Sequence, residues 1–237
     1  MQAPDFAKAS VGNFAHKDLL FLFEHFPVPG VDAVEAVRRV HEQPSTLESL
    51  LESRYVQDAL CDRSALWLEV SPQLYFNVML RHALPGPRDP LERRTIHYLA
   101  NLLALFGRTE RLYRPSDAGA PCEYLVDLVQ QSVEAGYERR FLVDAHIANY
   151  ALYLSGICAQ WVQHRRRYRH RPVSLEYYRR MGRSYYASAA HHPASREFGL
   201  REIFARLAER FEHFRGGLER LAGSFNAPQR SLATVQS

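Results

Sequence analysis

From Ala145 to His164, twenty residues pass without an Asp, Glu, Lys or Arg, and the next three are Arg165-Arg166-Arg167. This stretch constrains the fold more than any other. A segment so long and so weakly charged belongs in a core, and as one helix it is long enough to cross the middle of a domain. Its length also matches a membrane span with a positive flank. But His146, Asn149, Ser155, Gln160, Gln163 and His164 interrupt it. The purely apolar part falls well short of the roughly 18 residues that a span requires. The expectation is a central buried helix over about 138–162 with a basic, solvated segment leaving it. Membrane contact is not expected.

The remaining periodicities are helical too. A helix is predicted over 15–26, with Leu19, Leu20, Phe23 and Phe26 on one side, and another over 32–42. Ser45-Thr46-Leu47-Glu48 has the form of a capping box, and a short helix fits 54–61. Ser71-Pro72 reads as an N-cap followed by proline at the first helical position. The next helix runs from Pro90 to Phe106, with Gly107 placed for a left-handed C-cap. Further helices are expected over 122–135 with Leu125, Leu128, Val129 and Val133 inward, over 174–190 with Ser174 as N-cap, and over 196–222. The last carries Leu200, Phe204, Leu207, Phe211, Phe214, Leu218 and Leu221, a seam with a 3.5-residue period. It suits docking along an intramolecular bundle, or a dimerisation helix.

No run reads as a strand. The fold expected is all-α: eight or nine helices in a single bundle-like domain over 13–222, with an arm at 1–12 and a tail at 223–237. Any division into two helical subdomains falls in the turn-rich 107–121.

Charge is lopsided. Residues 1–162 hold 15 Lys/Arg against 20 Asp/Glu, and residues 163–237 hold 15 against 6. Only Lys8 and Lys17 are lysines. The three cysteines, Cys61, Cys122 and Cys158, form no disulfide framework and no zinc pattern, which suits reduced thiols in a cytoplasm. No secretory leader is recognised at the start.

Two constellations could carry function. His146, Asn149 and Tyr153 share one face of the central helix, with Tyr150 at its margin. Buried, they need hydrogen-bonding partners, for which His82, His97 or a tyrosine from 174–186 are candidates. Open, they would line a small-molecule or enzymatic pocket. The second is the run His164 to Arg171, where Arg165, Arg166, Arg167, Arg169 and Arg171 surround Tyr168. Arginines suit phosphates and a tyrosine suits base stacking, and Arg179, Arg180 and Arg183 could extend the patch. Gly156 and Gly182 fall inside predicted helices at a cost of about 1 kcal/mol each, which close helix approach would justify. There is no nucleotide-binding loop, nucleophile elbow or zinc-protease motif. No catalytic residue, metal ligand or cofactor is assigned.

ALYLSG at 151–156, a basic spacer, then Val173, Glu176-Tyr177-Tyr178, Met181-Gly182 and Tyr185-Tyr186 are similar to a pattern in uncharacterised all-helical bacterial proteins. The resemblance covers about 50 residues. It implies a bacterial, cytoplasmic, helical protein and brings no activity with it. The expected function is therefore a non-enzymatic binding or adaptor protein acting through a protein partner or self-association. The alternatives are a nucleic-acid or other polyanion binder using the arginine run, and a pocket at His146.

Overall fold

The computed structural model describes residues 4–7, 14–26, 37, 44–61, 70–107, 125–168 and 173–226. Over these residues the chain is α-helical without strands. The helices are α1 (His16–Glu24), α2 (Pro44–Leu51), α3 (Arg54–Cys61), α4 (Pro72–Ala83), α5 (Pro90–Phe106) and α6 (Leu125–Glu134). Then follow α7 (Tyr137–Gly156), α8 (Ala159–Tyr168), α9 (Leu175–His191), α10 (Pro193–Glu197), α11 (Arg201–Glu209) and α12 (Phe211–Asn226). The expected helix at 32–42 apart from the buried Val37, the boundary at 108–121, the arm's residues 8–12 and the tail beyond 226 lie outside the described residues.

Helix α7 is the axis of the molecule because it carries two apolar seams. Phe141, Ala145, Ala148 and Leu152 face one buried cluster, and Val143, Ile147, Tyr150 and Leu154 face another. Both seams follow 4-3-4 spacing, so the helix is buried nearly all round. It packs against α9, α12 and α6. Helix α9 lies against α11, α4 pairs with α5, and α12 reaches back to α4. A third cluster joins α1, α2 and α3 to Leu74 and Val78 of α4. Helix α4 thus shows one side to this N-terminal layer and the other, through Met79 and Leu80, to the main core.

The cores touch closely where glycines permit. A Cβ on Gly182 would stand 2.5 Å from Phe211 Cε2, and one on Gly156 would stand 2.7 Å from Leu218 Cβ. Both internal glycines therefore do what their positions suggested: they let α12 press against α9 and α7.

Several expectations are corrected. The central helix is interrupted after Gly156, where the amides of Ile157 and Cys158 both point to the Tyr153 carbonyl, at 2.9 and 3.2 Å. That is a local i→i−5 turn of the kind that bends helices. It lies where α12 crowds Gly156 and Arg215 donates to the Ser155 carbonyl at 3.4 Å. The 196–222 helix is in fact three pieces. Gly199 turns the chain at φ +67°, a conformation glycine adopts without strain, and Arg210 leaves helical geometry at φ −105°, ψ 33°. All seven seam residues are nonetheless buried within the chain, so the seam is covered from inside.

Helix α2 begins at Pro44, so Ser45 is helical and does not cap. Gly107 is right-handed, at φ −60°, ψ −18°. Val133 is exposed, and in α1 it is Phe21 and Leu22 that join Leu19 in the core, while Leu20 and Phe23 are half-buried. The caps at Ser71 and Ser174 form as expected, each hydroxyl accepting from an amide three residues on at 3.1 Å.

Candidate functional site

The His146 face lies inside the bundle. His146, Asn149 and Tyr150 are buried and Tyr153 is half-buried. Asn149 Oδ1 accepts the hydroxyls of Tyr98 and Tyr186, both at 2.7 Å. Burial pushes both phenols far above their ordinary pKa, so they remain donors at any physiological pH. His146 packs edge-on against Phe106 and parallel to Tyr150, and Tyr153 meets the same Phe106. Of the partners expected for this face, Tyr186 is present. Tyr98 joins it from α5, while His82 and His97 are engaged elsewhere. A second closed group sits five residues earlier: Asp144 accepts Ser132 Oγ at 2.5 Å and Ser188 Oγ at 2.9 Å, tying α6 and α9 to α7.

The arginine run begins within a helix. Arg165, Arg166, Arg167 and Tyr168 form the last turn of α8, where the sequence suggested a loop. Arg169 and Arg171 lie outside the described residues. Trp161, one turn before the run, is 49% exposed. Beside it lies a groove of about 500 Å³ lined by Val162 and Gln163 of α8 and by Ser174, Leu175 and Glu176 at the start of α9. Arg179 and Arg183 do not extend this patch freely: Arg179 clasps Glu212 and holds Glu176 at 3.1 Å, and Arg183 stands 3.5 Å from Glu212. Arg180 is exposed.

A third constellation was not expected. Arg81, whose side chain is fully buried, donates to Asn77 Oδ1 and Glu52 Oε1, both at 3.0 Å, and forms an ion pair with Glu48, Nη2 standing 2.6 Å from Oε2. His97 completes a ring of contacts: Asn77 Nδ2 donates to Nδ1 at 2.5 Å, and Nε2 donates to Glu48 Oε1 at 3.1 Å. Burial, helped by the Arg81 charge, depresses the His97 pKa and keeps the ring neutral. Burial works to raise the Glu48 pKa, but the His97 hydrogen bond and the Arg81 charge outweigh it and hold the carboxyl below its usual range. The signal for this network was legible in one respect. Arg81 continues the Leu74–Val78 stripe of α4, and a charge on an apolar stripe must be paired.

Among the described residues, no three His, Cys, Asp or Glu side chains are placed to hold a metal ion, and no helix is long and apolar enough to cross a membrane. Burial raises the Cys158 thiol pKa, which disfavours a thiolate. No family model, curated protein or solved structure matches this chain.

Proposed function

We propose that this chain is a non-enzymatic binding protein that captures an anionic partner at the α8–α9 corner. The observation that carries the reading is a contrast. The buried polar groups Asn149, Asp144 and Arg81 have their bonding capacity met by neighbours. The corner presents an exposed tryptophan and a groove at the head of five arginines in seven residues.

An aromatic surface followed by cations suits single-stranded nucleic acid, in which bases stack and phosphates pair. Five arginines around a single tyrosine within residues 165–171 favour that partner over an acidic protein segment. Glu176 at the groove is compensated by Arg179.

The test is fluorescence anisotropy with labelled single-stranded and duplex oligonucleotides and with an acidic peptide. Single strands should bind best. Affinity should fall steeply with salt, with a log–log slope near −3 for about four or five contacts on a single strand. Replacing Arg165, Arg166 and Arg167 with alanine should flatten that slope while the circular dichroism spectrum is kept. Preference for the acidic peptide would move the reading to a protein adaptor. Absence of binding to all three would remove the corner as a site.

A further inference from the structure

We propose that Ser53, His82 and Arg88, at the N-terminus of α3, form a binding site for a small oxyanion that carries a proton, of the hydrogen-phosphate class. This site is separate from the α8–α9 corner.

Three neighbouring side chains have buried polar atoms without hydrogen-bond partners: Ser53 Oγ, His82 Nε2 and Arg88 Nε. Ser53 is 8% exposed and precedes Arg54, the first residue of α3, where a capping serine would stand. Its hydroxyl makes no cap bond, although its backbone is engaged: the amide donates to the Leu50 carbonyl and the carbonyl accepts the Gln57 amide, both at 3.1 Å. The first amides of a helix have no acceptor within it, and the helix dipole favours negative charge there. The hydroxyl, the helix end and the unused guanidinium nitrogen are all suited to an anion's oxygens.

The other two residues are fixed beside Ser53. The His82 ring is hydrogen-bonded to the Ser53 backbone and lies in the fields of Arg88, Arg54 and Asp58. Arg88 caps the end of α4 by donating Nη2 to the carbonyls of Arg81 and Leu84, and its Nη1 stands 3.9 Å from Glu52. Its Nε is the nitrogen left over. Among the described residues around the site, Arg54, Arg81, Arg88 and Arg93 stand against Glu48, Glu52 and Asp58, a balance of one positive charge. A fully ionised anion would leave a lone pair on a neutral His82 unanswered. An oxyanion bearing one hydrogen answers both kinds of group. The side chains of Glu52 and Arg88 are 30% and 21% exposed, so the site lies close under the surface.

Isothermal titration calorimetry with inorganic phosphate tests this on the full chain. Phosphate should bind in one-to-one ratio, and sulfate, which carries no proton at neutral pH, should bind more weakly. Ser53→Ala should weaken phosphate binding about tenfold or more, the effect of losing one hydrogen bond to a charged group. Arg88→Gln should weaken it further. If that variant does not fold, Ser53→Ala decides alone. The Arg165, Arg166 and Arg167 alanine variant should bind phosphate as wild type does. No saturable heat, an unchanged affinity in Ser53→Ala, or loss of phosphate binding in the triple-alanine variant would each overturn the proposal. The last outcome would assign the phosphate to the arginine run.

Discussion

The layer formed by α1 to α3 and the core formed by α7, α9 and α12 are attached to the molecule by different forces. In the core, glycines let α12 approach α7 and α9 until Phe211 and Leu218 fill the space, and the polar link from α7 to α5 and α9 at Asn149 is an amide between two neutral phenols. In the N-terminal layer, apolar contacts through Leu74 and Val78 are joined by an ionic network in which one arginine holds two glutamates and an asparagine, and a histidine bridges the asparagine and one glutamate. Packing in the core depends on volume and hardly on pH. The network depends on protonation, because it is made of groups that titrate. The molecule should therefore fail differently at its two ends.

The largest effects are equal in size and different in character. Phe211→Ala should cost about 3–5 kcal/mol, the range for emptying a buried aromatic site. Arg81→Met should also cost about 3–5 kcal/mol, because it strands Glu48 beside a neutral His97. Urea denaturation at two pH values separates them. The Phe211 cost should hold in acid, whereas the Arg81 cost should shrink as the network it removes is lost anyway. A constant Arg81 cost would break the comparison.

Asn149→Leu comes next. It leaves two buried tyrosine hydroxyls without an acceptor, at about 1–3 kcal/mol each, and the loss should be independent of pH because neither phenol titrates in range. Restoring an acceptor with Asn149→Asp should not recover wild-type stability in full, since it buries a charge between two neutral donors. Thermal melts of both variants check this.

The smallest effect belongs to the rim. Arg94 bonds Glu202 at 3.0 Å in a pair that is largely exposed, and Arg94→Ala should cost no more than about 1 kcal/mol. A larger loss would mean that surface charge also fastens α11 to α5.

The sequence shows much of the core and little of the network, for a physical reason. Core seams repeat locally: Phe204, Leu207, Phe211 and Phe214 are legible because a helix returns the same face every three or four residues. The seam records a face and not a straight axis, so the breaks at Gly199 and Arg210 left it intact and went unseen. Arg210 is drawn to Glu92 at 2.7 Å, a contact 118 residues away that no local pattern announces. The network around Arg81 likewise joins residues from α2, α4 and α5: Asn77 and Arg81 share a helical spacing, as do Glu48 and Glu52, but no local pattern links the pairs to each other or to His97. Of the partners expected for the α7 candidates, His82, His97 or a tyrosine from 174–186, it is Tyr186 that bonds Asn149. That face closes because Tyr98 arrives from a different helix.

Both titrating members of the network act in the same direction. The His97 pKa is lowered by folding, so below the ordinary 6.5 the unfolded chain takes up a proton that the fold resists, and stability falls. The Glu48 pKa is lowered too, so its contribution is present above the ordinary 4.5 and is lost as pH falls through the depressed folded value. His82, beside Ser53, shifts down as well and adds to the first step, chiefly through burial and then the Arg88 charge. His213, paired with Glu92 on the far rim, also shifts down, so acid sensitivity is expected there but not at the centre of α7.

Hydrogen exchange read by mass spectrometry, at neutral pH and at about pH 5.5, between the ordinary imidazole and carboxylate values, compares the two regions in one experiment. After correction for intrinsic rates, protection over 44–61 should fall on acidification while protection over 141–156 and 182–190 is kept. Equal loss in both regions, or no loss over 44–61, would contradict the account.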